Sequence, residues 1–261
     1  MAFRGAIFDV DGVLVDSPHE RAWRDALKEL MEGEWSDIRD QTTYSPDRFT
    51  PAIYQAVMAG KPRAAGAQSA LEYFGVPDAA NRAEAYGERK QVLVIKLIEA
   101  GQFHAFSDAL RFVLAVKGAG IPLAVASSSK NAGLFLSRIR LDVFCAERGL
   151  PYDFVSDGLT LQKLFDADIS GRDFPQGKPH PMIFLTAAQE LGVPPESCFV
   201  TEDASSGIQA AKAGNMAGLG VARMHDQELL KKAGADLVVT SLDEPAINAL
   251  AEGRLERASM A

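Results

Sequence analysis

Short apolar runs of three or four residues recur along most of the chain with helical patterns between them. That alternation constrains the fold more than any other feature. Ala6–Phe8, Leu123–Ala126, Phe199–Thr201, Leu219–Val221 and Leu237–Val239 have the length and continuous apolar character of parallel strands buried on both faces. Met182–Leu191, Ser206–Ala213 and Gln227–Ala233 read as helices between the later ones. Strand–helix alternation predicts an α/β fold, a Rossmann-like core built on a parallel sheet. The rhythm breaks from about Ser17 to Gly101, where helical periodicity continues without a strand. Ser17 as N-cap, Pro18 as the first helical residue and Glu20 as the partner of a capping box predict a helix start there. Trp23, Leu27 and Leu30 then give it one apolar face. Further helices are expected around residues 51–58, 65–74 and 79–98. The chain therefore divides into a discontinuous core, residues 1–15 and 102–261, and an inserted all-helical domain, residues 16–101.

Chemistry concentrates at the ends of the expected strands. Phe8-Asp9-Val10-Asp11-Gly12-Val13 follows the first strand directly, and ligands of open α/β sheets gather at the carboxyl ends of strands. Two carboxylates separated by one residue, with a glycine for a sharp turn, can hold a divalent cation or attack phosphorus. A solvated acidic turn is the plain alternative. Three later segments weigh against it. Ala126-Ser127-Ser128-Ser129-Lys130-Asn131 offers hydroxyls and amides to phosphate oxygens. Gly177-Lys178-Pro179-His180-Pro181 places a lysine in a stiff loop before a helix, suited to neutralising charge. Thr201-Glu202-Asp203 brings two more carboxylates to a strand end, ahead of Ser205, Ser206 and Gly207.

In that order, these segments resemble the four-motif pattern of the haloacid-dehalogenase-like superfamily. The resemblance places the family's nucleophilic aspartate on Asp9 and its general acid/base on Asp11. The motif-two hydroxyl falls on Ser127, the lysine on Lys178 and the acidic pair on Glu202 and Asp203. It implies an aspartyl-phosphate intermediate on Asp9 and Mg2+ held by Asp9, Asp203 and the Asp11 backbone carbonyl, with Glu202 assisting. The helical insertion lies where the family carries a cap.

Within the superfamily the chain looks most like the β-phosphoglucomutase-like subgroup. Asp16-Ser17-Pro18-His19-Glu20-Arg21-Ala22-Trp23 matches the subgroup's cap entrance at His19 and Trp23. Gly60-Lys61-Pro62-Arg63 is similar to a cap loop whose arginine grips a second phosphate, and Lys96 stands at the subgroup's spacing after Arg89-Lys90. Ser128, Ser129, Lys130 and Asn131 match its binding segment for that same phosphate. An ordinary solvated surface is the other reading of Lys61, Arg63 and Lys96. The stretch from Ile139 to Gly177 is longer than the subgroup usually allows by roughly twenty residues, beyond a normal connection, and is expected to contain a strand near Phe165–Ile169. The implied reaction is interconversion of β-glucose 1-phosphate and glucose 6-phosphate. A Mg2+-dependent sugar-phosphate phosphatase with the same core residues stays open beside it.

Composition sets the remaining bounds. A formal charge of -8 argues against a general nucleic-acid binder, whose footprint is a basic face. No apolar stretch reaches spanning length, and the start Ala6-Ile7-Phe8 is too short for a secretory leader, so the expected location is the cytoplasm. The expected partner is a small sugar phosphate, with no nucleic acid and no membrane, and the expected state is a monomer. Two cysteines are too few for a disulfide framework, and Cys198 in Cys198-Phe199-Val200 reads as a buried small hydrophobe.

Overall fold

A computed structural model describes residues 2–58, 61–224 and 226–258. In chain order it runs β1 (Gly5–Phe8), β2 (Val15–Asp16), α1 (His19–Glu32), α2 (Pro51–Val57), α3 (Arg63–Tyr73), α4 (Ala79–Glu99), β3 (His104–Ala105) and α5 (Ser107–Gly118). There follow β4 (Leu123–Val125), α6 (Ala132–Leu136), α7 (Leu141–Arg148), α8 (Leu161–Leu164), β5 (Ala167–Asp168), α9 (Met182–Leu191) and β6 (Cys198–Glu202). The chain closes with α10 (Ser205–Ala213), β7 (Ala217–Val221), α11 (Gln227–Lys232), β8 (Leu237–Val239) and α12 (Ile247–Leu250). It forms two compact units, residues 1–16 with 104–261, and residues 17–103.

The first unit is a six-stranded parallel sheet in the order β5-β4-β1-β6-β7-β8. Counted along the chain, its strands lie third, second, first, fourth, fifth, sixth, the order of a doubly wound Rossmann sheet. The central strands carry no polar face: every residue of β1 and β4 is buried, because helices cover both sides of the sheet. On one side Ile7, Ala124 and Val200 pack with Ile183, Phe184 and Ala187 of α9. Phe8, Phe112 and Phe199 meet in tilted and edge-to-face pairs. Cys198 is fully buried, its thiol pushed up to about 12 by that burial and by Glu196. A two-residue ribbon, β2 against β3, closes the ends between which the helical unit is inserted, with Val15 opposite Ala105.

The regular elements of the second unit are all helices among its described residues. Ala22, Trp23, Ala26, Leu27, Leu30 and Met31 form the buried face of α1, as helical spacing requires. All but Ala22 join Leu71, Phe74 and Tyr86 in one core. The Tyr86 hydroxyl donates to the Trp23 carbonyl at 2.8 Å, and the two rings meet edge to face. The helix start differs from the expected capping box. Pro18 occupies the cap position, α1 begins at His19, and no side chain caps it. The Glu20 carboxylate is instead 3.4 Å from the Arg24 guanidinium one turn on, an i,i+4 pair that competes with reaching back to the cap.

Candidate active site

The strand order reverses at β1, so the loops after β1, β4 and β6 diverge from one point on the sheet edge. Asp9 is the first residue past β1. Its amide donates to the Thr201 carbonyl of β6 at 3.1 Å, while the Ala126 amide donates to the Phe8 carbonyl at 2.8 Å. The turn that follows needs glycine twice over. Gly12 has φ +78°, and a Cβ there would lie 1.9 Å from Asp203 Oδ2. Gly207, in the first turn of α10, is required by space alone: a Cβ would sit 1.9 Å from Glu202 Oε1.

Side-chain oxygens of Asp9, Glu202 and Asp203 lie within 4.8 Å of one another. The Asp11 carboxylate is outside that set, although its charge raises the Asp9 pKa. Asp9 is 7% exposed and Glu202 1%. Lys178 Nζ stands between them, 2.6 Å from Asp9 Oδ1 and 2.5 Å from Glu202 Oε1. The ammonium also lies 4.9 Å from the Phe184 ring centre. Glu202 Oε2 accepts from the amides of Asp203 and Ala204, both at 3.1 Å, which fixes it at the mouth of α10. Burial pushes Asp9 up to about 7, with Glu202 and Asp11 adding to the rise and Lys178 opposing it. Asp203 is raised well above its ordinary value by burial and by Glu202 and Asp9. Lys178 is held above its ordinary value by the two carboxylates it bridges, against the effect of its own burial.

The loop after β4 is organised by its own hydroxyls. Ser127 Oγ accepts from the Ser129 amide at 3.1 Å, and Ser129 Oγ from the Asn131 amide at 3.3 Å. Ser127 and Asn131 are buried; Ser128 and Lys130 are exposed. The long segment after residue 139 returns to this loop: the Gly171 amide donates to the Ser127 carbonyl at 2.9 Å, and Asp173 lies 2.8 Å from Lys130 Nζ.

Known proteins resemble the chain in sequence and fold. A family model for haloacid dehalogenase-like hydrolases matches residues 3–215. The chain belongs to the haloacid dehalogenase-like hydrolase family. It is 34% identical over 257 residues to a β-phosphoglucomutase of Mycobacterium bovis, covering 92% of this chain and 90% of that protein. It is 28% identical over 249 residues to a phosphorylated carbohydrates phosphatase of Thermotoga maritima, covering 94% and 97%. Among solved structures it resembles an archaeal β-phosphoglucomutase from Pyrococcus with a TM-score of 0.67 and 28% identity, over 96% of this chain and 99% of that one.

The other residues that the sequence singles out lie in the helical unit of this haloacid dehalogenase-like enzyme. His19 opens α1, and Trp23 is buried in that unit's core with Lys90 Nζ 5.2 Å from its ring centre. Lys61 is exposed and donates to Ser69 Oγ at 2.9 Å. Arg63 opens α3 with its stem close over Gly87 of α4, and Lys96 is exposed on α4. Gly60 lies outside the described residues. No helix among the described residues is long and apolar enough to cross a membrane. Sequence reasoning missed Arg223 and Asp108, which meet behind the Gly12 turn. A basic residue two places beyond the strand run Leu219–Val221 was the available signal for the first; nothing local marks the second.

Proposed function

We propose that this chain transfers a phosphoryl group on a sugar phosphate with Asp9 as nucleophile, and that its main reaction is the interconversion of β-glucose 1-phosphate and glucose 6-phosphate. The observation that carries the chemistry is the buried Asp9 carboxylate at the strand-order reversal, bridged by Lys178 and faced by Glu202 and Asp203. An Asp9 oxygen attacks phosphorus, the ester oxygen departs with a proton supplied by Asp11, and an acyl phosphate remains on Asp9. Attack of a sugar hydroxyl, deprotonated by Asp11, returns the phosphoryl group to a different oxygen. Lys178 and the Ser127 hydroxyl stabilise the charge on the phosphoryl oxygens.

The residues fit Mg2+. Clustered carboxylate oxygens with no sulfur or imidazole are the donor set of a hard divalent cation, and Gly12 keeps the space beside Asp203 clear of a side chain. Asp9, Asp203 and Glu202 would hold it, where it neutralises phosphoryl charge. The mutase reading is supported by similarity to β-phosphoglucomutases over nine-tenths of both chains. One observation favours the phosphatase reading: Lys130, a candidate for the second phosphate, already faces the Asp173 carboxylate.

The test is to follow glucose 6-phosphate and inorganic phosphate together after adding β-glucose 1-phosphate, with Mg2+ and with or without a hexose bisphosphate. Isomerisation faster than release supports the mutase. Release that dominates with bisphosphate present replaces it with the phosphatase, and inertness toward every sugar phosphate in excess Mg2+ overturns both.

A further inference from the structure

We propose that Arg223 is a positioning residue that holds the Asp9–Val13 turn in register with Asp203; the inference rests on the reaction proposed above. Arg223 stands two residues past β7, and Asp108 is the second residue of α5. Their side chains are only 15% and 11% exposed, and they pair in a fork: Nη1 to Oδ2 at 2.8 Å, Nη2 to Oδ1 at 3.2 Å. Asp108 Oδ2 accepts in addition from the Leu242 amide at 2.7 Å and the Ser241 hydroxyl at 3.1 Å. The carboxylate is thus fixed by the loop after β8, and it fixes the guanidinium in turn.

What remains of the guanidinium is aimed at the turn. Nε is 3.4 Å from the Gly12 carbonyl and Nη2 3.4 Å from the Val13 carbonyl, while Cζ lies over the Phe106 ring at 4.0 Å from its centre. The turn's amides are satisfied internally, Gly12 by the Val15 carbonyl and both Leu14 and Val15 by that of Val10. Its carbonyls at positions 12 and 13 find Arg223, and Val13 is fully buried, so its carbonyl has little recourse to water. A planar fork that stacks and donates along two edges is a task for arginine and not for lysine. The link to chemistry is Gly12. It abuts Asp203 closely enough that no side chain fits between them, so a turn that drifts changes the spacing of Asp9 and Asp203. Arg223 is assigned no contact with substrate; it acts through the turn.

The ion pair between Arg111 and Asp243 supplies the control. It joins the same two segments, α5 and the loop after β8, through bonds of 2.8 and 2.6 Å, and has no bond to the turn. The experiment compares wild type, Arg223→Lys, Asp108→Asn and Arg111→Ala by amide hydrogen exchange at residues 12–15 and by Mg2+-dependent hydrolysis of p-nitrophenyl phosphate. Arg223→Lys should speed exchange at Gly12, Leu14 and Val15 and lower kcat by about tenfold with KM within about twofold, the scale expected for misplacement short of 1 Å. Asp108→Asn, which keeps acceptors for Leu242 and Ser241, should shift both readouts the same way. Arg111→Ala should lower the melting temperature and leave both at wild-type values. Unchanged exchange at residues 12–15 in the Arg223 and Asp108 variants, or a kcat loss matched by Arg111→Ala, overturns the proposal. Exchange needs no turnover, so an inert wild type would refute the proposed reaction while the positioning claim is still decided.

Discussion

Replacing Asp9 by asparagine should destroy activity and, in the absence of metal, make the protein more stable. Asp9 is 7% exposed, and its pKa in the fold is about 7 where an unperturbed carboxylate has 3.8. Burial is the main cause; Glu202 and Asp11 add to it, and Lys178 recovers part of the cost. Below the ordinary value both folded and unfolded chains carry the proton, and Asp9 costs nothing. Between roughly pH 4 and pH 7 the folded chain keeps a proton that the unfolded chain has lost, so stability falls as pH rises. Above the raised pKa the loss is complete. Three pKa units correspond to about 4 kcal/mol at pH 8, a ceiling, and the difference narrows to about 2 kcal/mol at pH 5. Asparagine resembles the protonated acid, still accepts from Lys178, and escapes the penalty. Urea unfolding in excess chelator should therefore rank Asp9→Asn above wild type at pH 8, with a smaller gap at pH 5. Saturating Mg2+ should close most of the gap, because only wild type keeps the full ligand set, and a ligand at 100 times its Kd contributes about 2.7 kcal/mol. Equal midpoints at pH 8 in chelator, or a gap that does not narrow at pH 5, would refute this account of Asp9.

Gly207→Ala should drive the Glu202 carboxylate off Lys178 and the Asp203 and Ala204 amides, costing about 1–3 kcal/mol and most of the turnover; melting and steady-state assays would show it. Lys178→Met leaves buried Glu202 and Asp9 without their shared cation and should cost about 3–5 kcal/mol in chelator, with part restored by Mg2+ in the same unfolding assay. Arg63→Ala, on the mutase reading, should lower isomerisation of β-glucose 1-phosphate by about tenfold or more and depress hydrolysis of a small aryl phosphate far less; equal losses would remove Arg63 from second-phosphate binding.

The sheet was legible because its central strands are buried on both faces, which makes Ala6–Phe8 and Phe199–Thr201 continuous apolar runs. Strand order was not, since nothing local in β4 or β6 says which side of β1 it takes. The β2–β3 ribbon escaped notice for its length, two residues a strand with no alternation to read. The segment after residue 139 was readable only in outline: the strand expected near Phe165–Ile169 is the two-residue β5, and Phe165 turns aside to lie 6.1 Å from the Phe8 ring. Asp9, Ser127, Lys178, Glu202 and Asp203 stood out because each follows a strand or precedes a helix, so position and residue type spoke together. Arg223 and Asp108 pair across 115 residues, and a partnership of that span has no expression in local pattern.

The raised carboxylates and the proposed reaction are two consequences of one charge imbalance. Asp9, Glu202 and Asp203 set three carboxylates against the single ammonium of Lys178, with Asp9 and Glu202 buried and Asp203 partly so. Fully ionised, that group carries two uncompensated negative charges, and burial makes them costly. Protons can remove them, which is the meaning of an Asp9 pushed up to about 7 and an Asp203 raised well above the ordinary carboxylate value. A divalent cation can remove them as well, and it leaves Asp9 ionised and nucleophilic where a proton does not. Binding of Mg2+ should then release protons at neutral pH, and its affinity should weaken as pH falls below 7. The same imbalance sets the order of events with substrate. A phosphate monoester dianion brought to the metal-free site would meet like charge, whereas the loaded site has Lys178 and the cation to receive it. The fold therefore spends stability to hold together carboxylates that a cation can reconcile, and in the proposed reaction their excess charge is what draws that cation in.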